Sequence, residues 1–294
     1  MLRRFRTVLS VAFLVSALPA AHAQVAPALD DLTDDQLQRT VNFVIGNAVF
    51  GVYHEAAKML ISDFSLPNSG EDKNTPDELA GTIMLEANQE WLDTAIVNAT
   101  DSWYLARAAG ELPEHNAPLY SVLVPNVARD RQMACLMVGK DHEGYGDLAE
   151  MMGLPKNEWK ACEVAYPQIV ARWNELLKPH VKTPGTTKFE IRYEPARDPF
   201  LDIYATMVKE SKVLDLIARG FSAYELKGEV KLTARSCGRP DAYWSEERRE
   251  ITYCYELARF HGELIAAHLL ATNGDRGDAP AKEIPTAVNL GQEL

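Results

Sequence analysis

The segment 34–61, "DDQLQRTVNFVIGNAVFGVYHEAAKMLI", constrains the fold of this chain more than any other stretch. It follows Thr33 with Asp34 and Asp35, an acidic pair that suits the positive end of a helix, and its pattern stays helical for about eight turns. Between Phe43 and Tyr53 it is apolar nearly all round. A helix without a polar face cannot lie on a surface, so other elements must enclose it. The protein is therefore expected to fold around this helix, with His54 and Glu55 carried at the end of its apolar run.

The later segments supply those enclosing elements. A polar turn, "SLPNSGEDKNT", leads to a well-specified helix start, with Thr75 as N-cap, Pro76 at the first helical position and Glu78 where a capping box needs it. The helix is predicted over about 76–109, with Trp91, Leu92, Ile96, Trp103 and Leu105 on it, and two shorter ones over about 126–139 and 158–177. After the linker-like "KPHVKTPGT" at 178–186 the period changes. "KFEIRYE" alternates as a strand, "DPFLDIYATMVKESKVLDLIARGF" returns to helix, and "GEVKLTARSC" alternates again. "DAYWSEERREITYCYEL" reads as a hairpin around a polar turn at 245–249, and a last helix ends the pattern. The expected class is α+β: a helical half at 24–180, and a half at 187–271 whose small sheet comes from 187–194, 229–236 and 242–253. Residues 272–294 lack periodicity and are expected to form a loose tail, in which the "RGD" is a chance match.

Residues 1–23 have the form of a secretory leader: Arg3, Arg4 and Arg6, then the apolar "VLSVAFLVSALPA", then the small-x-small site Ala21-His22-Ala23. Cleavage near Ala23 predicts a secreted protein, periplasmic in a Gram-negative host. No later run is long and apolar enough for a membrane helix. The net charge of −12 becomes −15 once those three arginines are removed, which argues against nucleic acid or anionic lipid as partner. Cys135, Cys162, Cys237 and Cys254 form an even set in a chain bound for an oxidising compartment. Of three pairings we favour the sequence-local one, Cys135–Cys162 and Cys237–Cys254, each bridge contributing roughly 3 kcal/mol through the unfolded state. A four-thiolate zinc site is disfavoured because no C-x-x-C spacing is present.

His54-Glu55 opens like the H-E-x-x-H of a zinc helix, whose two imidazoles lie one turn apart on one face while the glutamate acts as general base. Here Lys58 stands where the second histidine belongs. The surrounding boxes decide how much weight the fragment deserves: "FGVYHEAAKMLI" at 50–61, "LPNSGEDKNTPDEL" from Leu66, and "CGRPDAYWSEERREITYCYEL" from Cys237 to Leu257. Shorter echoes are "DRQMACLMVG", "LPKNEWKACEVAY" and "WNELLKPH". Over roughly residues 35–260 the sequence resembles a bacterial metallopeptidase family of unknown function. The resemblance implies a zincin-like fold and carries the first zinc histidine onto His54, the catalytic glutamate onto Glu55 and a supporting aspartate onto Asp77. It also puts Lys58 and Lys73 at two of the three ligand positions.

A protonated lysine has no lone pair for a metal, and its ordinary pKa near 10.4 keeps it charged at neutral pH. The expectation is a non-catalytic, cofactor-free protein in which Lys58 and Lys73 replace the zinc charge and pair with Glu55 and Asp77. It would bind a peptide or protein of the cell envelope, because in such folds an edge strand beside the zinc helix holds extended peptide. The alternative is an active metallopeptidase with altered zinc ligation, drawing on Glu71, Asp72 or His115. An envelope protein without a ligand is a third class. The same residues also admit structural roles: Glu55 and Lys58 as a surface ion pair, Asp77 as a partner of its helix N-terminus, His54 satisfied by a backbone carbonyl. His261 and His268, seven residues or about 10 Å apart along a helix, are too distant to share a zinc and are expected to be solvated or capping groups. No G-x-S-x-G, phosphate-binding glycine loop or unpartnered thiol points to another chemistry, and oligomeric state is not legible.

Overall fold

A computed structural model describes residues 29–67, 75–109 and 127–272. Residues 1–28, which include the expected leader, together with Glu71, Asp72, Lys73, His115 and the residues beyond Thr272, lie outside the described residues.

Helix α1 (Asp34–Phe64) is the enclosed helix. Its start is a reciprocal capping box in which the Thr33 hydroxyl accepts from the Gln36 amide and the Gln36 side chain accepts from the Thr33 amide. From Phe43 through Ala57 every residue is buried. The predicted 76–109 helix is two, α2 (Thr75–Glu86) and α3 (Glu90–Ala108). The break falls at Asn88, whose φ of 51° is left-handed backbone that asparagine tolerates better than most residues. Helix α3 crosses α1 closely at Gly46, where an added Cβ would lie 2.3 Å from Asn98 Nδ2. That approach lets the Asn98 amide donate to the Asn42 carbonyl, and Asn47 to the Asn98 carbonyl.

Helices α4 (Val127–Lys140), α5 (His142–Met151) and α6 (Lys156–Leu177) complete the N-terminal half. Helix α5 was not expected from periodicity; Asp141 starts it by accepting from the amides of Glu143 and Gly144. The Cys135–Cys162 disulfide joins α4 to α6, as the sequence-local pairing requires. Gly139 permits the close pass, since a Cβ there would meet the Cys162 carbonyl oxygen at 2.7 Å.

The C-terminal half supplies four strands, β1 (Phe189–Tyr193), β2 (Val230–Arg235), β3 (Ala242–Ser245) and β4 (Glu250–Cys254), in the order β1-β2-β4-β3. β1 and β4 each lie parallel to β2, and β3 pairs antiparallel with β4. The expected helix between β1 and β2 is again two, α7 (Asp202–Glu210) and α8 (Val213–Phe221), divided where Lys212 takes a φ of 55°. Along β2 the buried Val230, Leu232 and Ala234 alternate with Lys231, Thr233 and Arg235, so the sheet has an apolar face and a polar one. Helices α1, α7 and α8 pack on the sheet, and α9 (Tyr255–Ala271) packs along α1. The α+β class, with its small sheet in the C-terminal half, is as expected. Cys237–Cys254 ties the chain before β3 to the end of β4, and the Glu256 carboxylate accepts from the Cys237 and Gly238 amides there.

His261 departs from expectation. It is 1% exposed on α9, edge-on to the Phe43 and Phe260 rings, with Nδ1 lacking a hydrogen-bond partner among the described residues. The position belongs to the α9 face that closes on α1, and that packing excludes water from the ring.

Candidate functional site

His54 and Glu55 lie on the buried part of α1, 3% and 0% exposed. His54 Nδ1 is 2.7 Å from Asp77 Oδ1 at the start of α2. Asp77 is also gripped by Arg129 of α4, whose Nε and Nη2 donate to its two oxygens at 2.6 and 2.8 Å. The Arg129 guanidinium in turn lies 4.0 Å over the Trp103 ring of α3. Three helices and one aromatic ring thus fix a single imidazole. Burial alone would raise the Asp77 carboxyl, but Arg129 and His54 hold it well below the usual carboxylate range. An ionised carboxylate only accepts, so Nδ1 carries a proton toward Asp77 and Nε2 is the ring nitrogen turned away from it.

The carboxylate of Glu55 faces a different set of partners. Lys58 Nζ is 2.8 Å from Oε2, and the same oxygen accepts the Trp244 amide of β3 at 2.6 Å. Oε1 lies 3.7 Å from His54 Nε2, beyond hydrogen-bond reach. Beside Trp244, Asp241 is 4% exposed and bound by Arg239 at 3.0 Å. Burial pushes the Asp241 carboxyl up to about 6; Arg239 opposes the rise and the Glu55 charge adds to it.

Several expectations change on this geometry. Glu55–Lys58 is no surface pair, because the glutamate is fully enclosed and only the lysine reaches water, 31% exposed. His54 is satisfied by a carboxylate rather than a backbone carbonyl. Asp77 is paired with Arg129 and His54; Lys73, its expected lysine partner, lies outside the described residues. Arg129, Trp244 and Asp241 were not singled out from sequence. The signals available were an arginine opening the otherwise ordinary "VARDRQMAC" helix and the "PDAYW" that precedes the second hairpin strand.

A catalytic zinc needs about three protein ligands and an open position. His54 Nε2 is one of the right type, and Asp77 orients it as a carboxylate orients a metal-bound imidazole. One turn on, Lys58 offers an ammonium, which repels a dication and neutralises the nearest carboxylate. Among the described residues the only cluster of three potential ligands is Cys237, Cys254 and Glu256, and its two sulfurs are bonded to each other. The described residues therefore do not make a zinc site. The same disulfides dispose of a four-thiolate centre.

No curated protein and no solved structure matches the chain. A family profile does, over residues 21–177 and 193–287, and it carries the description "putative metallopeptidase". That span includes the His54–Glu55 helix, Asp77, Arg129 and the whole of the β3–β4 hairpin. The chain belongs to this family of metallopeptidase-like proteins.

Proposed function

We propose that this is an exported metallopeptidase-like protein that has exchanged its metal for a lysine and holds extended peptide or protein in the cell envelope without cleaving it. One observation carries the reading: Glu55 Oε2 takes both the Lys58 ammonium and the Trp244 amide. An ammonium bound to the carboxylate lowers its basicity toward a water, and a dication does not enter beside an ammonium. Lys73, in the acidic box, repeats the substitution in sequence. Two disulfides and the leader-like start support export, and no described helix is long and apolar enough to cross a membrane.

The peptide half of the proposal rests on β3. The Asp241 carbonyl accepts from the Cys254 amide, so by the alternation of an antiparallel ladder the polar groups of Ala242 and Trp244 face away from β4. Ala242 is covered, 0% exposed, with its amide toward the Asp241 carboxylate. An added strand therefore pairs there by displacing that carboxylate and the Glu55 oxygen on the Trp244 amide, while Lys58 keeps Glu55 neutralised. Until then Glu55 caps an edge that would otherwise invite aggregation.

The purified mature protein is expected to contain zinc well below stoichiometry and to show no chelator-sensitive peptide hydrolysis. Stoichiometric zinc together with chelator-sensitive cleavage would overturn the proposal in favour of an active enzyme with altered ligation from Glu71, Asp72 or His115. That second reading has one observation behind it, the Asp77 contact that holds His54 by Nδ1 and turns Nε2 away from the carboxylate.

A further inference from the structure

The polar face of the sheet beside the outer edge of β3 carries a group of arginines that lie outside the His54–Glu55 site. Tyr243 of β3 is opposite Thr252 of β4, which is opposite Thr233 of β2, so all three share that face. The Tyr243 hydroxyl accepts from Arg235 Nη2 at 2.9 Å. Burial alone would raise the phenol, yet the hydrogen bonds from Arg235 and Thr252 and the Arg235 and Arg248 charges together bring it below its ordinary value. Two more guanidinium groups flank the ring: Arg239, from the turn before β3, 5.5 Å from its centroid, and Arg248, from the hairpin after it, 5.9 Å away.

Each flanking arginine is anchored from below. Arg239 binds Asp241, their side chains 44% and 5% exposed, and Arg248 binds Glu250, 53% and 12% exposed. The two acids are covered and the two guanidinium groups reach water. Glu250 engages only Nε of Arg248, which leaves the terminal amino groups without a partner among the described residues. A guanidinium held by Nε with both terminal groups outward is preset for a carboxylate.

Geometry connects the patch to the strand edge. A chain pairing with Ala242 and Trp244 places one residue directly opposite Tyr243, and that residue's side chain must rise on the Tyr243 face, between Arg239 and Arg248. We infer that the β3 edge selects extended peptides bearing an aspartate or glutamate opposite Tyr243, with Arg239 and Arg248 reading its carboxylate. This inference rests on the edge-strand reading above and adds its specificity.

The test uses the full mature chain and fluorescence anisotropy with labelled extended heptapeptides of alternating threonine and valine, differing only at a central glutamate, glutamine or lysine. The glutamate peptide is expected to bind about tenfold tighter than the glutamine one, with lysine weakest. Arg248→Gln, at an exposed hairpin position, is expected to bring the glutamate and glutamine peptides to similar affinity. Equal binding of all three by the unaltered protein would overturn the specificity and leave the edge-strand reading standing, as would an Arg248→Gln change that weakens every peptide alike. Binding of none would overturn the edge-strand reading and this inference with it. Full competition by N-acetylglutamate amide at peptide concentrations would assign the arginines to small carboxylates and overturn the peptide selection.

Discussion

Lys58 stands one turn after His54 and satisfies a glutamate with no exposed surface of its own. Its loss would strand a buried negative charge. Lys58→Met is expected to cost about 2 kcal/mol, read as a lower urea midpoint at unchanged slope, because removing one partner of an enclosed pair leaves the other undersolvated. Arg129→Leu should cost more, about 3 kcal/mol or above, since Arg129 and Asp77 are both enclosed and, among the described residues, the aspartate would keep His54 alone. The sequence exposed the first pair and hid the second. Glu55 and Lys58 are three residues apart on a recognisable helix, whereas Arg129 reaches Asp77 across 52 positions and Trp244 reaches Glu55 across 189. Contacts of that span are fixed by how helices pack, and no local pattern encodes them.

Among the elements, α1 was legible because its apolar residues run all round, and the β3–β4 hairpin because its strands alternate about a polar turn. The breaks within α2–α3 and α7–α8 were not. Each depends on one residue, Asn88 or Lys212, adopting left-handed backbone inside an otherwise helical period. The α1–α3 crossing was equally hidden, although it sets the height of the core helix. Gly46→Ala is expected to destabilise the fold by about 1–3 kcal/mol in chemical denaturation, as Asn98 must leave the Asn42 carbonyl to admit a methyl group. At the strand edge, Glu55→Ala removes the acceptor that holds the Trp244 amide. Peptide affinity measured by anisotropy should then rise about fivefold, the worth of one net hydrogen bond. A fall instead would make Glu55 part of the peptide site rather than its plug.

At the scale of the whole molecule, charge burial predicts an uneven response to acid. Burial pushes His261 down to about 3 from an ordinary 6.5, so its neutral form costs nothing above pH 6.5 and stability is lost as pH falls from there toward 3. Asp241 works oppositely: raised to about 6 from 3.8, it adds stability below 3.8 that is lost as pH rises through 6. Asp77, held below its ordinary 3.8, adds stability above that value and loses it in stronger acid. Denaturant midpoints should therefore change little between pH 6 and 4 and drop steeply below 4. His261→Leu should become more stable on acidification across the upper window, where Asp241 alone would act. A uniform decline in both proteins would contradict the assignment of these burials.

The central claim is that lysines stand where a metal's charge stood, in a fold that still orients His54 for one. Zinc content by mass spectrometry, measured on the parent and on a Lys58→His/Lys73→Glu double variant dialysed side by side against the same zinc buffer, tests it most directly. The account predicts substoichiometric zinc in the parent and near-stoichiometric zinc in the variant. Stoichiometric zinc in the parent, or no gain in the variant, would contradict it.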